Sequence, residues 1–284
     1  MTGPLDVLAG IVNRPEAWDF TDCSRVFAGV DIGTHSVVAV LVDEQGWPRA
    51  LNLRRAEVVR SGLIVDYVGA QAIVCELLDE LRAHCPLAIE LGATTYPPNT
   101  EQGNIHTTSH ILNAAGLEVV QVLDEPTAAN RVLKLKHGAI VDVGGGTTGI
   151  AVIENGRVVY SADEATGGVH VTLVLSGGMK IDADEAERLK ADKAQAKKVM
   201  GIVRPVVDKI SSIVERHLAN WPGVETLYLV GGTCELEGLA EVVSANTGRK
   251  ALRPVFPQAV TPLGVALSCW EAAMEGNGKL LAQG

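Results

Sequence analysis

The sequence lacks the features that mark several classes of protein. Acidic residues outnumber basic ones by 34 to 24, and the net charge of -10 argues against a nucleic-acid or anionic-membrane surface, since both need clustered Lys and Arg. No apolar run reaches the roughly 18–20 residues that a membrane-spanning helix needs. The N-terminus has no basic start followed by an apolar stretch, so no secretory signal is predicted.

Cysteine is also scarce. The five residues are odd in number, scattered and never spaced as C-x-x-C, which disfavours a disulfide framework and a structural zinc site. Reduced thiols are typical of the cytosol, so we expect a cytoplasmic protein. The chain has 284 residues, 47% of them hydrophobic, and can therefore bury a sizeable core, most simply as two lobes.

The organising feature of the chain is a weak internal repeat. Blocks rich in β-branched residues alternate with helical patterns, which predicts an α/β fold. The segment Val30–Gly33 resembles Val141–Gly144, because each runs from a strand through an Asp into a glycine turn. A second strand follows in both copies and ends in a further turn, at Gly46 or Gly156. We favour two related lobes facing each other, with chance resemblance as the alternative. The predicted boundaries are residues 25–137 with 255–284 for lobe I, 138–254 for lobe II, and 1–24 for an N-terminal extension, either an amphipathic helix or a loosely packed lead-in.

The two glycine turns suggest an anion site. Without Cβ atoms, Gly33 and Gly144–Gly146 permit positive φ and let main-chain N–H groups approach a phosphate closely. Asp31 and Asp142 precede the turns at the same offset. Carboxylates repel phosphate, so these two side chains suit a Mg²⁺ ion and its waters instead. The hydroxyls expected to add further donors are those of Thr34, Ser36, Thr147 and Thr148.

Three further segments complete the pattern. Leu229–Thr233 is a strand feeding a Gly pair, against which an adenine or ribose could lie flat, although a packing turn is the alternative. It matches neither G-x-G-x-x-G nor the Walker sequence, which disfavours a Rossmann or P-loop fold. The small residues of Asp124–Ala129 and Thr261–Ala266 predict two helices packed closely together at a hinge. Glu125 stands just before the start of the first helix.

In this order, the five segments resemble the actin, sugar-kinase and heat-shock ATPase superfamily over roughly residues 26–270. VDIGTHS is similar to its first phosphate loop, DEPTAA to its first connecting helix and VDVGGGTT to its second phosphate loop. YLVGGTCELEG is similar to its adenosine motif and TPLGVA to its second connecting helix. The resemblance implies a two-lobed actin-like ATPase fold of duplicated ribonuclease-H-like lobes, with mixed sheets flanked by helices. It also implies bound ATP or ADP with Mg²⁺.

The same resemblance implies a role for each matched residue. Asp31 and Asp142 would place the metal, and Glu125 together with Asp142 would serve any catalysis by orienting water. Glu187 and Lys190 match an E-x-x-K helix and would touch ribose or adenine, with an exposed i,i+3 pair as the alternative. The implied phosphate contacts are Gly33, Thr34, Gly144, Gly145, Gly146 and Thr147, and the implied adenosine contacts are Gly231, Gly232 and Thr233.

A narrower resemblance is to the ethanolamine-utilisation EutJ family, carried by ADEATGG, the DEPTA box, the YPPNT stretch and the chain length. It implies an ATP-binding, chaperone-like accessory factor that works through nucleotide-dependent lobe closure. The implied partner is ethanolamine ammonia-lyase or its bacterial microcompartment, and an oligomer is compatible with this role. An actin-like polymerising ATPase and, with less support, a small-molecule kinase are the alternatives.

Two departures from DnaK-type chaperones bear on catalysis. Those proteins carry an Asp after the second phosphate loop, where this chain has Gly149. No counterpart of their phosphate-facing Lys can be placed between Leu51 and Ala70. Each lost electrostatic group can cost about 10²–10³ in rate, so fast hydrolysis is not expected.

Overall fold

Two five-stranded sheets organise the chain in the computed structural model, which describes residues 3–60, 63–96 and 102–281. The strands are β1 (Val26–Ile32), β2 (Ser36–Asp43), β3 (Pro48–Arg55), β4 (Val59–Arg60), β5 (Leu63–Ile64), β6 (Leu91–Tyr96), β7 (Glu118–Asp124), β8 (His137–Val143), β9 (Thr148–Glu154), β10 (Arg157–Glu164), β11 (Thr226–Val230) and β12 (Lys250–Leu252). The helices are α1 (Pro4–Ile11), α2 (Tyr67–His84), α3 (Gln102–Ala114), α4 (Glu125–Leu133), α5 (Gly168–Met179), α6 (Ala183–Ala191), α7 (Ala196–Leu218), α8 (Leu239–Thr247) and α9 (Val260–Leu281).

The two sheets have the same topology. The first has the order β3-β2-β1-β6-β7 and the second the order β10-β9-β8-β11-β12. In each sheet, the first three strands pair antiparallel and the last two continue parallel to the third. The weak repeat in the sequence is therefore a duplication of structure. The chain divides into unit 1, up to Lys134 and from Ala259 onward, and unit 2, residues 135–258.

In unit 1, helix α2 packs its apolar face on the sheet. Asp66 accepts a hydrogen bond from the Gly69 N–H at 2.9 Å, which caps the first turn. Val74, Leu78 and Leu81 follow at helical spacing and are fully buried. Of the motifs noted in the sequence, the YPPNT stretch lies, apart from its Tyr, outside the described residues.

Helices α4 and α9 of unit 1 cross at small residues. A Cβ atom added to Gly264 would lie 1.8 Å from the carbonyl oxygen of Ala128, so the two backbones touch. One built on Gly29 would lie 2.2 Å from the Ala266 nitrogen, so α9 also lies directly on β1. The predicted close packing of these two helices is confirmed.

The N-terminal segment belongs to unit 1. Its helix α1 lies against β3 and buries Leu8 completely. Asn13 pairs with the backbone of Leu53, accepting its N–H at 2.7 Å and donating to its carbonyl at 3.0 Å. Of the two forms that the sequence allows for this segment, the packed helix is the one observed.

In unit 2, helix α7 supplies the apolar face. Val199, Val203, Val207 and Ile210 recur at helical spacing and are at most 1% exposed. The charged stretch over residues 184–200 does not form one continuous helix, because the helix breaks at Asp192. The carboxylate of that residue accepts the Ala194 N–H at 2.9 Å, a local bond that competes with the helical one. Within the described residues, no helix is both long and apolar enough to cross a membrane.

Candidate functional site

The two glycine turns close in the same way. The Gly33 N–H donates to the Ser36 carbonyl at 2.9 Å, and the Gly144 N–H donates to the Thr147 carbonyl at 3.0 Å. The first turn joins β1 to β2, and the second joins β8 to β9. The two turns therefore share the same closing hydrogen bond. Thr34, which is half-buried, lies in the first turn.

The two aspartates lie on the strands that enter these turns. Asp31, on β1, is half-buried and accepts the Thr95 hydroxyl at 2.7 Å. Burial raises the pKa of Asp31 because desolvation disfavours the charged form, although the Thr95 bond works in the opposite direction. Asp142, on β8, stands opposite Gly149 in the antiparallel register, as Asp31 stands opposite Val38.

The second turn directs two N–H groups outward. The Gly144 carbonyl accepts the Gly168 N–H at 2.9 Å and the Thr233 hydroxyl at 2.8 Å. The Gly145 carbonyl accepts the next N–H of α5 at 2.7 Å. In a trans peptide the C=O and the following N–H point in opposite directions, so the N–H groups of Gly145 and Gly146 point away from α5. Consecutive N–H groups arranged in this way suit an anion.

A further glycine pair, Gly167 and Gly168, lets the start of α5 lie against the turn. The sequence reasoning did not assign this pair to the site. A Cβ atom on Gly167 would lie 2.7 Å from the Gly144 carbonyl oxygen and 2.8 Å from the Thr147 nitrogen. One on Gly168 would lie 2.4 Å from the Thr233 hydroxyl oxygen. Only glycine lets the start of α5 lie on the turn. The signal was present in ADEATGG, which served only as a mark of family resemblance.

The hydroxyls of the turn point inward. Thr148 is fully buried and donates to the Thr166 carbonyl at 2.6 Å, so the expectation that it adds a donor for phosphate is wrong. Thr147 hydrogen bonds to Asp163 of β10. Burial raises the pKa of that Asp163 carboxyl, and the Thr147 bond partly offsets the effect. Main-chain N–H groups are therefore the donors that this turn offers.

Glu187 and Lys190 do not form the exposed i,i+3 pair that was the alternative interpretation of their spacing. Their side chains are only 14% and 16% exposed, and Nζ lies 2.7 Å from Oε1. Lys190 also donates to the Thr172 hydroxyl at 2.8 Å and to the Gly168 carbonyl at 3.3 Å. This polar network joins α6 to the first turn of α5, next to the glycine turn.

The segment after β11 also reaches Asp142. Gly231 has a φ of +89°, and a Cβ atom there would lie 2.2 Å from Oδ1 of Asp142 and 2.6 Å from the Val143 carbonyl oxygen. Thr233, two residues on, is 8% exposed and holds the Gly144 carbonyl. Four segments therefore come together within unit 2: the second glycine turn, the start of α5, the pair of Glu187 and Lys190, and the segment after β11.

In unit 1, Glu125 is the first residue of α4. Asp124 caps that helix by accepting the Thr127 N–H at 2.9 Å. Asp124 pairs in register with Tyr96 on β6, one residue beyond the Thr95 that holds Asp31. Glu125 thus follows the C-terminal end of β7, which is separated from β1 by β6 in the sheet. Asp31 lies near the same end of β1.

Among the described residues, no group of three or more His, Cys, Asp or Glu side chains is placed to hold a metal ion. Mg²⁺ in nucleotide sites needs no such group, since it keeps several waters and takes one or two carboxylates plus phosphate oxygens. Asp31 and Asp142 supply hard oxygen donors of the kind that Mg²⁺ prefers. Each of these carboxylates, taken by itself, is a donor of the kind that fits the magnesium ion of a nucleotide.

Known proteins resemble this chain over most of its length. The family model described as Type IV pilus assembly protein PilM matches residues 102–253, more than half of the chain. The ethanolamine utilization protein EutJ of Escherichia coli (strain K12) is 42% identical over 253 residues, covering 88% of each chain. The crystal structure of EutJ from Carboxydothermus hydrogenoformans has a TM-score of 0.88 at 41% identity and covers 93% of this chain and 96% of that one.

A more distant likeness concerns the fold alone. MreB5 of Spiroplasma citri bound to ADP has a TM-score of 0.71 at 16% identity, covering 90% of this chain and 99% of that one. The predicted actin-like ATPase fold, with mixed sheets flanked by helices, is confirmed, and so is the narrower resemblance. The chain belongs to the ethanolamine utilization protein EutJ family and, through residues 102–253, to the family described by the PilM model.

Proposed function

We propose that the chain binds a magnesium nucleotide, ATP or ADP. The observation that carries this proposal is the second glycine turn, whose carbonyls are held by α5 and Thr233 while the N–H groups of Gly145 and Gly146 point the other way. Such groups are fixed before a ligand arrives, so little ordering is required when a phosphate binds. The MreB5 structure of the same fold contains ADP, which supports the choice of ligand.

Asp31 and Asp142 are the residues we propose to hold the magnesium ion, directly or through its waters. When bound, the ion would neutralise phosphate charge. Glu125, at the start of α4, is proposed to orient a water molecule. Glu187 and Lys190 already bond to each other, to Thr172 and to Gly168, so their proposed contact with ribose or adenine would extend a network that is fixed in place.

For the cellular role, membership of the EutJ family supports a part in ethanolamine utilization. We propose that this part is that of a chaperone-like accessory factor. We propose that its partner is ethanolamine ammonia-lyase or a component of its microcompartment, in the cytoplasm. Nucleotide would act by favouring one of two conformations that differ in affinity for that partner. A pull-down of candidate partners with ATP and with ADP tests this role, and equal capture in both would contradict it.

Thermal unfolding tests the nucleotide site. A ligand at about 100 times its Kd stabilises the protein by roughly 2.7 kcal/mol, which for a chain of this size is a shift of about 5–10 °C in Tm. We expect this shift with Mg-ADP or Mg-ATP in the wild type, and a smaller one in Asp31→Asn and in Asp142→Asn. Asp22→Asn, an exposed position outside both turns, is the matched control. A wild type without any shift would remove the nucleotide from this proposal.

A further inference from the structure

The edge strand β10 of unit 2 is open, although its counterpart in unit 1 is covered. Strands β3 and β10 each have eight residues and lie at equivalent edges of their sheets. Helix α1 lies against β3, and Val12 forms a parallel bridge with Leu51 of that strand. Four residues of β3 are buried, whereas no residue of β10 is. In the described part of the chain, β10 pairs with β9 alone.

An open edge of this kind can take another strand. It presents a row of main-chain N–H and C=O groups, and many proteins blunt such edges with bulges, prolines or very short strands. Strand β10 contains no proline, and its one irregularity is a bulge at Val159. After the bulge, Tyr160–Glu164 pairs regularly with β9. About five residues is the usual length of a strand, so enough regular edge remains to pair with a further one.

The charges of β10 make the strand complementary to itself. Arg157 is exposed at its start, and Asp163 and Glu164 lie at its end. In an antiparallel pair of β10 strands related by a twofold axis near Ser161, Arg157 of each copy approaches the acidic end of the other. A parallel pair would place like charges side by side. Opposite charges on facing strands stabilise a sheet and like charges destabilise it, so the antiparallel pair is favoured.

Two further features fit a second copy of this chain. Val159 is 46% exposed at the edge and offers an apolar β-branched side chain to cover. The Glu164 carboxylate already accepts bonds from Arg216 and His217, which fix it at the end of the strand. Pairing of this kind would join two five-stranded sheets into one continuous sheet. A sheet of about ten strands is within the range found in proteins.

We propose that β10 is a self-association surface, through which two copies pair antiparallel about a twofold axis near Ser161. Such an interface uses the same patch on both copies, so assembly stops at a dimer, whereas a filament needs two different surfaces. One pair of edge strands buries less area than a standard interface, so we expect a weak, reversible dimer. The inference needs no bound nucleotide and stands apart from the proposed function.

Sedimentation velocity of the full chain over a wide range of concentrations tests this proposal. We expect reversible dimers in the wild type. Arg157→Glu should raise the dimer Kd by at least about tenfold, because a like-charge contact replaces an attraction. Arg157→Lys keeps the charge and should leave Kd within about twofold. Lys250→Glu is the matched control, since it changes the net charge equally at an exposed position of β12, the opposite edge of the same sheet.

A cross-link tests the geometry independently. Facing Cβ atoms of an antiparallel pair lie about 4.5–5.5 Å apart, close enough for a disulfide to form with a small adjustment. Ser161→Cys should therefore link two copies covalently under mild oxidation. Gln121→Cys, a half-buried position on β7 at an edge of the other sheet, is the control and should stay unlinked.

The possible outcomes decide between this surface and others. A wild type that stays monomeric at every concentration would overturn the proposal, whether the edge then takes a strand from another protein or none. A dimer that responds equally to Arg157→Glu and Lys250→Glu would place the interface elsewhere. Equal cross-linking of the Ser161→Cys and Gln121→Cys variants would contradict an axis near Ser161. Selective loss of the dimer in Arg157→Glu, together with a selective cross-link at position 161, would support it.

Discussion

The hydroxyl of Thr233 donates to the carbonyl oxygen of Gly144 at 2.8 Å, across 89 residues of sequence. The segment that resembles an adenosine motif thereby fixes the orientation of a peptide in the glycine turn. The peptide that follows Gly144 carries the Gly145 N–H on its opposite side. Thr233 thus helps to orient a main-chain N–H group, proposed to donate to phosphate, that it does not itself contact.

Replacing Thr233 by Val should therefore weaken both the fold and the site. The free energy of unfolding should fall by about 1 kcal/mol, because the Gly144 carbonyl keeps its bond from Gly168 and loses only one of two donors. ADP affinity should fall as well. Urea unfolding and an ADP titration measure the two effects, and Thr233→Ser, which keeps the hydroxyl, should behave as the wild type. Equal ADP affinity in the Val variant would show that this bond does not shape the turn.

Gly167→Ala should disrupt the contact between α5 and the turn. The new methyl group would lie 2.7 Å from the Gly144 carbonyl oxygen, and a backbone atom cannot move aside cheaply. Overpacking of this kind costs about 1–3 kcal/mol, and nucleotide binding should be lost with it. In α5, the helix that follows Gly167, nothing lies within 4 Å of a Cβ atom on Gly177, so Gly177→Ala should be neutral or stabilising. Thermal unfolding of both variants, with and without nucleotide, makes the comparison.

Gly264→Ala should destabilise unit 1. Its methyl group would meet the Ala128 carbonyl oxygen at 1.8 Å, so α4 and α9 would have to separate. We expect a loss of at least about 1–3 kcal/mol in urea unfolding. The control is Gly10→Ala, an exposed position of α1 with nothing within 4 Å. Similar stabilities for the two variants would contradict the observed helix crossing.

The ion pairs of Glu164 predict a dependence on pH. Its carboxylate accepts hydrogen bonds from His217 and Arg216, and these hold the pKa of Glu164 below its ordinary value. A carboxylate whose pKa is lowered on folding stabilises the protein above its unfolded-state pKa, near about 4.3. That contribution is lost as the pH falls through the lower folded-state pKa.

Glu164→Gln should therefore lower the Tm at pH 7, and its difference from the wild type should shrink as the pH falls below about 4. Thermal scans across this range measure the effect. Glu215→Gln, at an exposed position on the same helix as His217, is the matched variant. A difference that stays constant with pH would show that the ion pairs contribute nothing.

The local features of this protein were readable from its sequence. The spacing of Asp31 and Asp142 from their glycine turns predicted a duplication that the matching strand orders confirm. The turn predicted at Gly156 is the hairpin between β9 and β10, where Asn155 and Gly156 both have positive φ, 51° and 79°. The helical pattern of residues 184–200 gives no sign of the break at Asp192, because a side-chain hydrogen bond there competes with the helical hydrogen bond.

The sequence by itself determined where the turns, strands and helix caps lie, since these depend on residues close together in the chain. Only the tertiary structure decided which of these groups meet. The contact of Gly167 with the second turn, the bond from Thr147 to Asp163 and the burial of Lys190 depend on strand register and on the packing of α5. Those relationships join residues 16 to 23 positions apart, and no local spacing encodes which way a carbonyl or a hydroxyl will point.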